Sequence, residues 1–443
     1  MSDKPASVAK CPVTLSDVDL FAPGAQEHWY SAYDILHADA PVHLIPGEGT
    51  SDDTDGVILC KYADIADVVK DIRRFPPPKY KISPVAPSEG SSSTAKADDI
   101  EFTPEMNAMM VSIQSLRPTP DLWKQHRQQL TDPWVGPGAG RHKEMITDAV
   151  DGLIDQWIDR GHVEFVEEFA APLPQIVMTN VLGFPLDDMA KLRAWGTEQV
   201  RRYVHGRGHR NFLTQEEEAE QVKVLSEFSQ YVQQQVADKR ANPSDDMISW
   251  LTQQTYEPLD RKLTDLEIIG IVYAMHLGGL ETTQYAIAEQ AQLLCETPGL
   301  FRTLKEDRSK IRVFCEEALR MRAPTQGLST RMTSQEETFH GVTVPAGSIL
   351  HMRWAAGNLD PDQFEAPKEF RLDRKNPTRH LTFSQGPRSC PGSGISRLEQ
   401  AIAWERLMDR LASLAYADDV SITHQPGIML GTYELKLNFE KAN

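Results

Sequence analysis

Apolar residues recur with the period of an α-helix through the middle of the chain. The pattern is clearest in three segments, which are HKEMITDAVDGLIDQWIDRG, PLPQIVMTNVLGF and EEEAEQVKVLSEFSQYVQQQVADKR. Each of them predicts an amphipathic helix. From about Asp121 to Arg322 we therefore expect an almost entirely helical body.

One predicted helix is unusually long. Thr264 and Glu267 form a capping-box signature, apolar residues continue through Leu294, and the sequence ETPG at 296–299 supplies a stop signal. At about 1.5 Å per residue, this helix would span roughly the diameter of a domain. We expect it to lie buried at the centre of the fold.

The two ends of the chain contain short β-like runs. PVHLI and GVILCKY predict strands near the start, TFHGVTVPAGSILHMRW contains two β-rich runs around a Pro-Ala-Gly turn, and GIMLGTYELKLNF predicts a terminal strand. Proline and serine from Pro76 to Asp99 predict a long loop. The predicted fold class is mainly α with small β-sheets (α+β). Residues 1–40 form an N-terminal segment and residues 41–443 one domain.

Composition narrows the functional classes. A formal net charge of -18 disfavours binding to nucleic acid or to anionic lipid. The N-terminus lacks the apolar core of a signal peptide, and no run is apolar and long enough to cross a bilayer. We therefore expect a cytoplasmic protein with neither kind of partner. The five cysteines are scattered without close pairs, so any cysteine chemistry belongs to a single thiol.

Cys390 is the thiol with the most informative surroundings. It lies in FSQGPRSCPGSG, a loop with several glycines that precedes a helix predicted to begin near Ser393. A helix N-terminus stabilises a thiolate, and glycines let the backbone approach a flat ligand. Taken alone, a single cysteine is usually a small buried residue in a turn. The pattern around it favours the chemical role.

This loop resembles the haem-binding loop of the cytochromes P450. The family pattern is a phenylalanine, a glycine, a basic residue, the cysteine and another glycine, and the matching positions here are occupied by Phe383, Gly386, Arg388, Cys390 and Gly392. The resemblance implies haem b (iron protoporphyrin IX) as the cofactor, with Cys390 as the iron ligand and Arg388 as a cation for a haem propionate. Ser384 stands where many members have glycine.

A second resemblance lies in CEEALRMRAP, where Glu317 and Arg320 are one helical turn apart. In the family such a pair joins an arginine from a segment like NLDPDQFEAPKEFRLDR, and Arg371 is the expected third partner. The alternative is a surface ion pair, which would contribute little. We interpret Glu317, Arg320 and Arg371 as a structural network.

The third resemblance is HLGGLETT in the long central helix. Two glycines in mid-helix cost about 1 kcal/mol each relative to alanine, which indicates a need for space. In the family this pattern lines a groove over the haem and precedes an acid and an alcohol, here Glu281 and Thr282. The resemblance implies that Thr282 hydrogen-bonds bound dioxygen and that Glu281 relays protons. Alternatively, Glu281 is solvated and Thr282 bonds its own backbone.

The resemblance also assigns further cofactor and substrate residues. Trp123 and Arg127 in WKQHR, together with Arg331, stand where family members contact propionates, and His380 matches a recurrent histidine before the loop. Exposed arginines and a core tryptophan are the alternatives. The residues expected to line the substrate pocket are Lys79, Tyr80, Ala274, Gly278, Gln326, Leu328, Ile428 and Met429.

As a whole, the resemblance implies a haem-thiolate monooxygenase that inserts one oxygen atom of O2 into a small organic substrate. Soluble bacterial members that act on monoterpenes are similar, so we expect hydroxylation or oxidative O-demethylation of a terpenoid or aromatic compound. A peroxide-using peroxygenase and a non-enzymatic haem sensor are the alternatives.

The sequence shows no flavin domain or iron–sulfur cysteine cluster, so electrons must come from another protein. A ferredoxin, with a reductase that uses NADH or NADPH, is the expected partner. The residues expected to form a local basic patch for it are Lys124, His126, Arg127, Arg141, His142, Lys143 and Arg397.

Overall fold

The structure is a computed structural model that describes residues 10–51, 53–77, 115–117, 119–204, 206–207, 210–211, 213–327 and 330–442. Three residues assigned to the substrate pocket, Lys79, Tyr80 and Leu328, lie outside the described residues. So does most of the loop predicted from Pro76 to Asp99.

Helices make up most of the described chain. Their bounds are α1 Trp29–Asp39, α2 Tyr62–Lys70, α3 Pro120–Leu130, α4 Lys143–Asp155, α5 Pro172–Leu182, α6 Met189–Val204, α7 Gln215–Ala241, α8 Met247–Gln253, α9 Asp265–Glu296, α10 Leu300–Glu306, α11 Ile311–Met321, α12 Trp354–Asn358 and α13 Ser393–Arg410. The three segments with the clearest helical period become α4, α5 and α7. The helical middle of the chain is therefore confirmed.

The strands are short. Their bounds are β1 Val42–Ile45, β2 Gly56–Leu59, β3 His162–Glu164, β4 Gly206–Arg207, β5 Arg210–Asn211, β6 Thr255–Tyr256, β7 Arg261–Lys262, β8 Thr330–Met332, β9 Glu337–Phe339, β10 Val342–Val344, β11 Ile349–Met352, β12 Leu411–Tyr416 and β13 Lys436–Lys441. The largest described sheet has the order β1-β2-β11-β8, with β2 and β11 parallel and the other pairs antiparallel. A second sheet, β12-β13-β3, is antiparallel.

The two β-rich runs around the Pro-Ala-Gly turn are confirmed as β10 and β11. They belong to different sheets, because β10 pairs with β9 whereas β11 pairs with β2 and β8. The prediction of the terminal strand needs correction, since β13 begins only at Lys436. The residues before it form a turn that is held by isolated bridges between Thr325 and Met429 and between His424 and Thr432.

The helix α9 is the axis of the fold. Its predicted capping box is confirmed, because the N–H of Glu267 donates to Thr264 Oγ1 and the N–H of Thr264 donates to the Glu267 carboxylate. Helices α5, α7, α11 and α13 pack around it, and most of its side chains are buried. The adjoining core contains a cluster of aromatic rings that includes Phe165, Phe169 and Trp404. None of the described helices is long and apolar enough to span a bilayer.

Candidate active site

Cys390 lies in the loop before α13, which begins three residues later at Ser393. Its N–H donates to the carbonyl oxygen of Phe383 at 2.8 Å. Burial raises the pKa of the Cys390 thiol, while hydrogen bonds from the backbone N–H groups of Gly392 and Ser393 oppose that rise. The sulfur therefore faces the first amides of a helix, as the sequence predicts, where negative charge is stabilised.

The cysteine loop adopts a left-handed backbone conformation at Ser384, the position where the sequence departs from the family pattern. Ser384 has a φ of 56°, in the left-handed region that glycine favours. A side chain there costs roughly 1–2 kcal/mol, yet the N–H of Ser384 still donates to the Leu381 carbonyl oxygen at 2.6 Å. Gly386 has a φ of 72°, and a Cβ on it would lie 2.8 Å from the carbonyl oxygen of Val69 on α2. Glycine is thus required where the loop rests on α2.

Arg127 anchors the cysteine loop to α3. Its Nη1 donates to the side chain of Ser389 at 2.6 Å and to the Ser389 carbonyl oxygen at 3.2 Å, and its Nη2 pairs with Asp132 at 3.3 Å. Its Nε is buried without a hydrogen-bond partner in the part of the chain that the structure describes. Arg127 can therefore hold the loop and still present a donor to a bound cofactor.

Trp123 lies between two arginines. The guanidinium carbons of Arg117 and Arg388 are 4.3 and 4.4 Å from the centre of a ring of Trp123. Burial, with repulsion from Arg388, lowers the pKa of Arg117 to about 10. Burial also lowers the pKa of His126 to about 3, and both of its ring nitrogens lack a hydrogen-bond partner among the described residues. Carboxylates brought here would relieve the repulsion, so these residues fit the propionates of haem.

Arg331 remains a predicted propionate ligand. It lies on β8 with its side chain buried, and its Nη1 donates to the carbonyl oxygen of Thr330 at 2.8 Å. Its position on a strand of the largest sheet is therefore defined, while its contact with a propionate is an expectation.

The structure corrects the role of His380. Its Nε2 is 3.0 Å from Glu316, and its Nδ1 lies 3.3 Å from the N–H of Thr382. Both ring nitrogens are engaged within the protein, so neither is available to a haem carboxylate. Burial would raise the pKa of Glu316, but hydrogen bonds from His380 and Arg397 outweigh it and lower the pKa to about 2. His380 therefore ties the loop to α11.

The network around Glu317 is present, with one partner different from the prediction. The carboxylate is fully buried and accepts from Arg320 and from Nε of Arg374, each at 2.8 Å. The side chain of Arg371 instead pairs with Asp373 near the surface, and only its backbone N–H reaches Glu317, at 3.3 Å. The assignment of Arg371 is therefore wrong, and Arg374 is the third member.

The two glycines of α9 serve different purposes. Ala274, Gly278 and Thr282 are spaced by four residues and share one helix face, on which Ala274 and Gly278 are exposed. A Cβ on Gly278 would meet nothing within 4 Å, which marks open space beside the helix. A Cβ on Gly279 would lie 2.6 Å from Met178 of α5. Gly278 therefore faces open space, whereas Gly279 permits close helix packing.

The acid Glu281 and the alcohol Thr282 follow directly after this open face of α9. The hydroxyl of Thr282 donates to the carbonyl oxygen of Gly278 at 2.9 Å, which is the backbone contact of the alternative interpretation. That contact uses the hydroxyl proton and leaves the oxygen as an acceptor. Burial raises the pKa of Glu281 to about 7, against a hydrogen bond from Tyr285 and the charge of Arg193. At neutral pH, Glu281 can therefore both gain and lose a proton.

The structure corrects one pocket residue and adds detail to two. Gln326 is fully buried, its Oε1 accepts from Tyr33 at 2.7 Å, and its Nε2 donates to the Ala323 carbonyl oxygen at 2.8 Å. Because the residue has no exposed surface, it borders no open space that could hold a substrate, and its assignment to the pocket is wrong. Ile428 and Met429 lie buried in the turn before β13.

Four important residues were not found from the sequence, and they are Arg117, Tyr285, Glu316 and Arg374. Two of them had a usable signal, because Tyr285 is four residues after Glu281 on one helix face and Glu316 adjoins Glu317. Arg374 lay in the right segment, three residues from the position chosen. For Arg117 we find no sequence signal.

The fold, the cysteine loop and the partly buried cations that fit propionates indicate a haem protein. The chain belongs to the cytochrome P450 family, because the family model "Cytochrome P450" matches residues 111–439. The protein is accordingly a cytochrome P450 monooxygenase, an oxidoreductase that carries haem b.

Relatives and solved structures agree with this assignment. The chain is 28% identical over 389 residues to a biotin biosynthesis cytochrome P450 of Bacillus subtilis, covering 88% of this chain and 90% of the relative. It is 28% identical over 298 residues to a steroid C26-monooxygenase of Mycolicibacterium smegmatis, covering 65% and 71%. P450BioI, in complex with an acyl carrier protein ligated with hexadec-9Z-enoic acid, matches with a TM-score of 0.77 at 25% identity, covering 94% and 99%. CYP108D1 from Novosphingobium aromaticivorans shows the same fold, with a TM-score of 0.77 at 23% identity over 94% and 96%.

Proposed function

We propose that the protein hydroxylates or O-demethylates a small, largely apolar organic molecule such as a terpenoid or an aromatic compound, with O2 as the oxidant and a ferredoxin as the electron donor. The observation that carries this proposal is the pairing of the open face at Gly278 with Glu281 and Thr282 on α9. The described residues assigned to the pocket, including Ile428 and Met429, are mostly apolar. Relatives named for a steroid, and a neighbour that holds a fatty acyl chain, support an apolar substrate class.

The residues of the site have separate roles in the proposed reaction. When bound, haem would supply the oxygen activation, and Cys390 would hold its iron through the thiolate sulfur. The amides of Gly392 and Ser393 stabilise the charge on that sulfur. Glu281 takes protons from solvent and passes them toward Thr282, because its pKa of about 7 makes both directions accessible. The open face at Gly278 leaves room for the substrate beside that proton supply.

Replacing the acid or the alcohol should separate electron use from product formation. With ferredoxin, its reductase and NADH, we expect Glu281→Gln to lower the turnover number by about 100-fold, the lower end of the usual contribution of a general acid. Thr282→Ala should continue to consume NADH but release peroxide instead of product, because the proton is no longer positioned. Product, peroxide and NADH are measured together.

A matched control lies next to these residues. The hydroxyl of Thr283 is 3.0 Å from that of Ser396 on α13, so Thr283→Val removes a hydroxyl from the same helix but not from the face that carries Gly278 and Thr282. This variant should keep the wild-type ratio of product to NADH. Equal turnover by wild type and Thr282→Ala would contradict the proposal and favour the peroxide-using alternative.

The basic patch for a ferredoxin is smaller than the sequence predicts. His126 and His142 are buried, and burial lowers the pKa of each, so both are neutral at pH 7. Arg397 is committed to Glu316. The exposed cations of the predicted patch are Lys124, Arg141 and Lys143, and of these Arg141 also pairs with the exposed Asp245 at 2.8 Å. We propose that these three residues dock the acidic surface of a ferredoxin, against the negative charge of the whole chain.

The rate of reduction should therefore depend on ionic strength. Exposed charges are screened over about 10 Å at 0.1 M salt, so we expect the second-order rate constant for reduction by ferredoxin to fall as salt is added. Lys143→Glu should lower this constant several-fold at low salt and less at high salt. Lys436→Glu is the control, since Lys436 pairs with Glu434 near the C-terminus. A rate constant for reduction that does not change with salt concentration would rule out this docking surface.

A further inference from the structure

The carboxylate of Glu281 is held within its own helix. The hydroxyl of Tyr285, one turn later on α9, donates to Glu281 Oε2 at 2.8 Å. The opposing charge comes from Arg193 on α6, but both terminal nitrogens of that arginine are 2.7 Å from the carboxylate oxygens of Glu167. Arg193 thus affects Glu281 only by electrostatic attraction, while Tyr285 makes a direct hydrogen bond to its carboxylate.

The ring of Tyr285 is fixed by the turn that precedes β13. Tyr285 is only 4% exposed, and a Cβ on Gly431 would lie 2.8 Å from its Cζ. The N–H of Gln425 donates to the Gly431 carbonyl oxygen at 2.8 Å, which closes the turn against the ring. Ile428 and Met429, which are expected to line the substrate pocket, belong to the same turn. One phenol therefore connects this turn to the acid on α9.

Tyr285 acts as a hydrogen-bond donor and keeps its proton. Burial raises the pKa of Tyr285 well above its usual value of 10, and the adjacent Glu281 carboxylate raises it further. Tyr433 faces Tyr285 from the C-terminal side and acts in the same direction. Around neutral pH, the group that titrates in this cluster is Glu281.

We propose that Tyr285 is a positioning residue for proton delivery, which fixes the Glu281 carboxyl and couples it to the substrate-lining turn at residues 425–431. This inference rests on the proposed role of Glu281. A substrate that presses on the turn would move the phenol and, with it, the hydrogen bond that stabilises the ionised carboxyl. Substrate occupancy and proton supply would then be linked through one side chain.

The protonation of Glu281 tests this directly. In the holoprotein, the protonated carboxyl of Glu281 gives an infrared C=O stretching band, which is identified because Glu281→Gln removes it. Following this band with pH gives the midpoint of Glu281 protonation without any turnover. Tyr285→Phe removes a hydrogen bond to the ionised form, so we expect the midpoint to move to higher pH. The pH at which the turnover number declines should move in the same direction, while the KM for substrate stays unchanged.

Two further variants separate positioning from general packing. Tyr416→Phe removes a tyrosine hydrogen bond of 2.9 Å to Glu296 at the far end of α9, and it should leave the midpoint of Glu281 where it is. Gly431→Ala keeps the phenol but crowds its ring, and we expect the midpoint to rise as in Tyr285→Phe. A wild-type midpoint in Gly431→Ala would overturn the coupling to the turn.

The outcomes distinguish this inference from the proposed function. If Glu281→Gln changes the pH profile of turnover but Tyr285→Phe moves neither the band nor the profile, the role of Tyr285 is overturned and that of Glu281 stands. The role of Tyr285 is also overturned if Tyr285→Phe still changes the pH profile of turnover when Glu281 is already glutamine. The double-mutant cycle would then show that Tyr285 does not act through Glu281. If turnover shows no dependence on Glu281 at all, the proposed function itself fails.

Discussion

Replacing Glu317 with alanine should lower the free energy of unfolding of the holoprotein by about 3–5 kcal/mol, which is the usual cost of removing one partner from a buried ion pair. The carboxylate is fully buried and is shared by Arg320 and Arg374. Without it, two buried guanidinium groups lose their counter-charge. Since domains are stable by only about 5–15 kcal/mol, we expect a large decrease in the midpoint of urea unfolding.

The control for this prediction is an acidic residue next to Arg374, outside the buried network. Asp373 is exposed and pairs with Arg371, so Asp373→Ala should change the free energy of unfolding by less than about 0.5 kcal/mol. Equal destabilisation by Glu317→Ala and Asp373→Ala would contradict the importance of the buried network.

Replacing Cys390 with serine should abolish monooxygenase activity. A serine at this position can still accept hydrogen bonds from the amides of Gly392 and Ser393, so the loop is expected to keep its fold. An alcohol oxygen, however, does not supply the electron donation of a thiolate to the iron. Cys11, which is exposed, provides the control, because Cys11→Ser should retain full turnover.

The sequence predicted the features that depend on local signals. The helix α9 carries both its capping box and its stop in a continuous apolar pattern, so its bounds were expected to within a few residues. The loop around Cys390 could be recognised for a similar reason, because backbone conformation and chemistry there depend on residues close together in the chain.

The errors concern side chains whose direction is set by tertiary packing. Arg371 and Arg374 have the same chemistry and lie three residues apart, and only the path of the backbone toward α11 decides which one reaches Glu317. In the same way, Gln326 was expected to face substrate, yet Tyr33 from α1 takes its oxygen. Such contacts join residues about 50 to 300 positions apart, and one sequence carries no local sign of them.

The identity of the iron ligand is the central claim, and the carbon monoxide difference spectrum of the reduced protein tests it most directly. The wild-type protein and Cys11→Ser should both show the red-shifted band of a thiolate-ligated haem. Cys390→Ser, compared at equal haem content, should lose that band completely. Retention of the thiolate band by Cys390→Ser would show that another residue binds the iron and would contradict the assignment of Cys390 as its ligand.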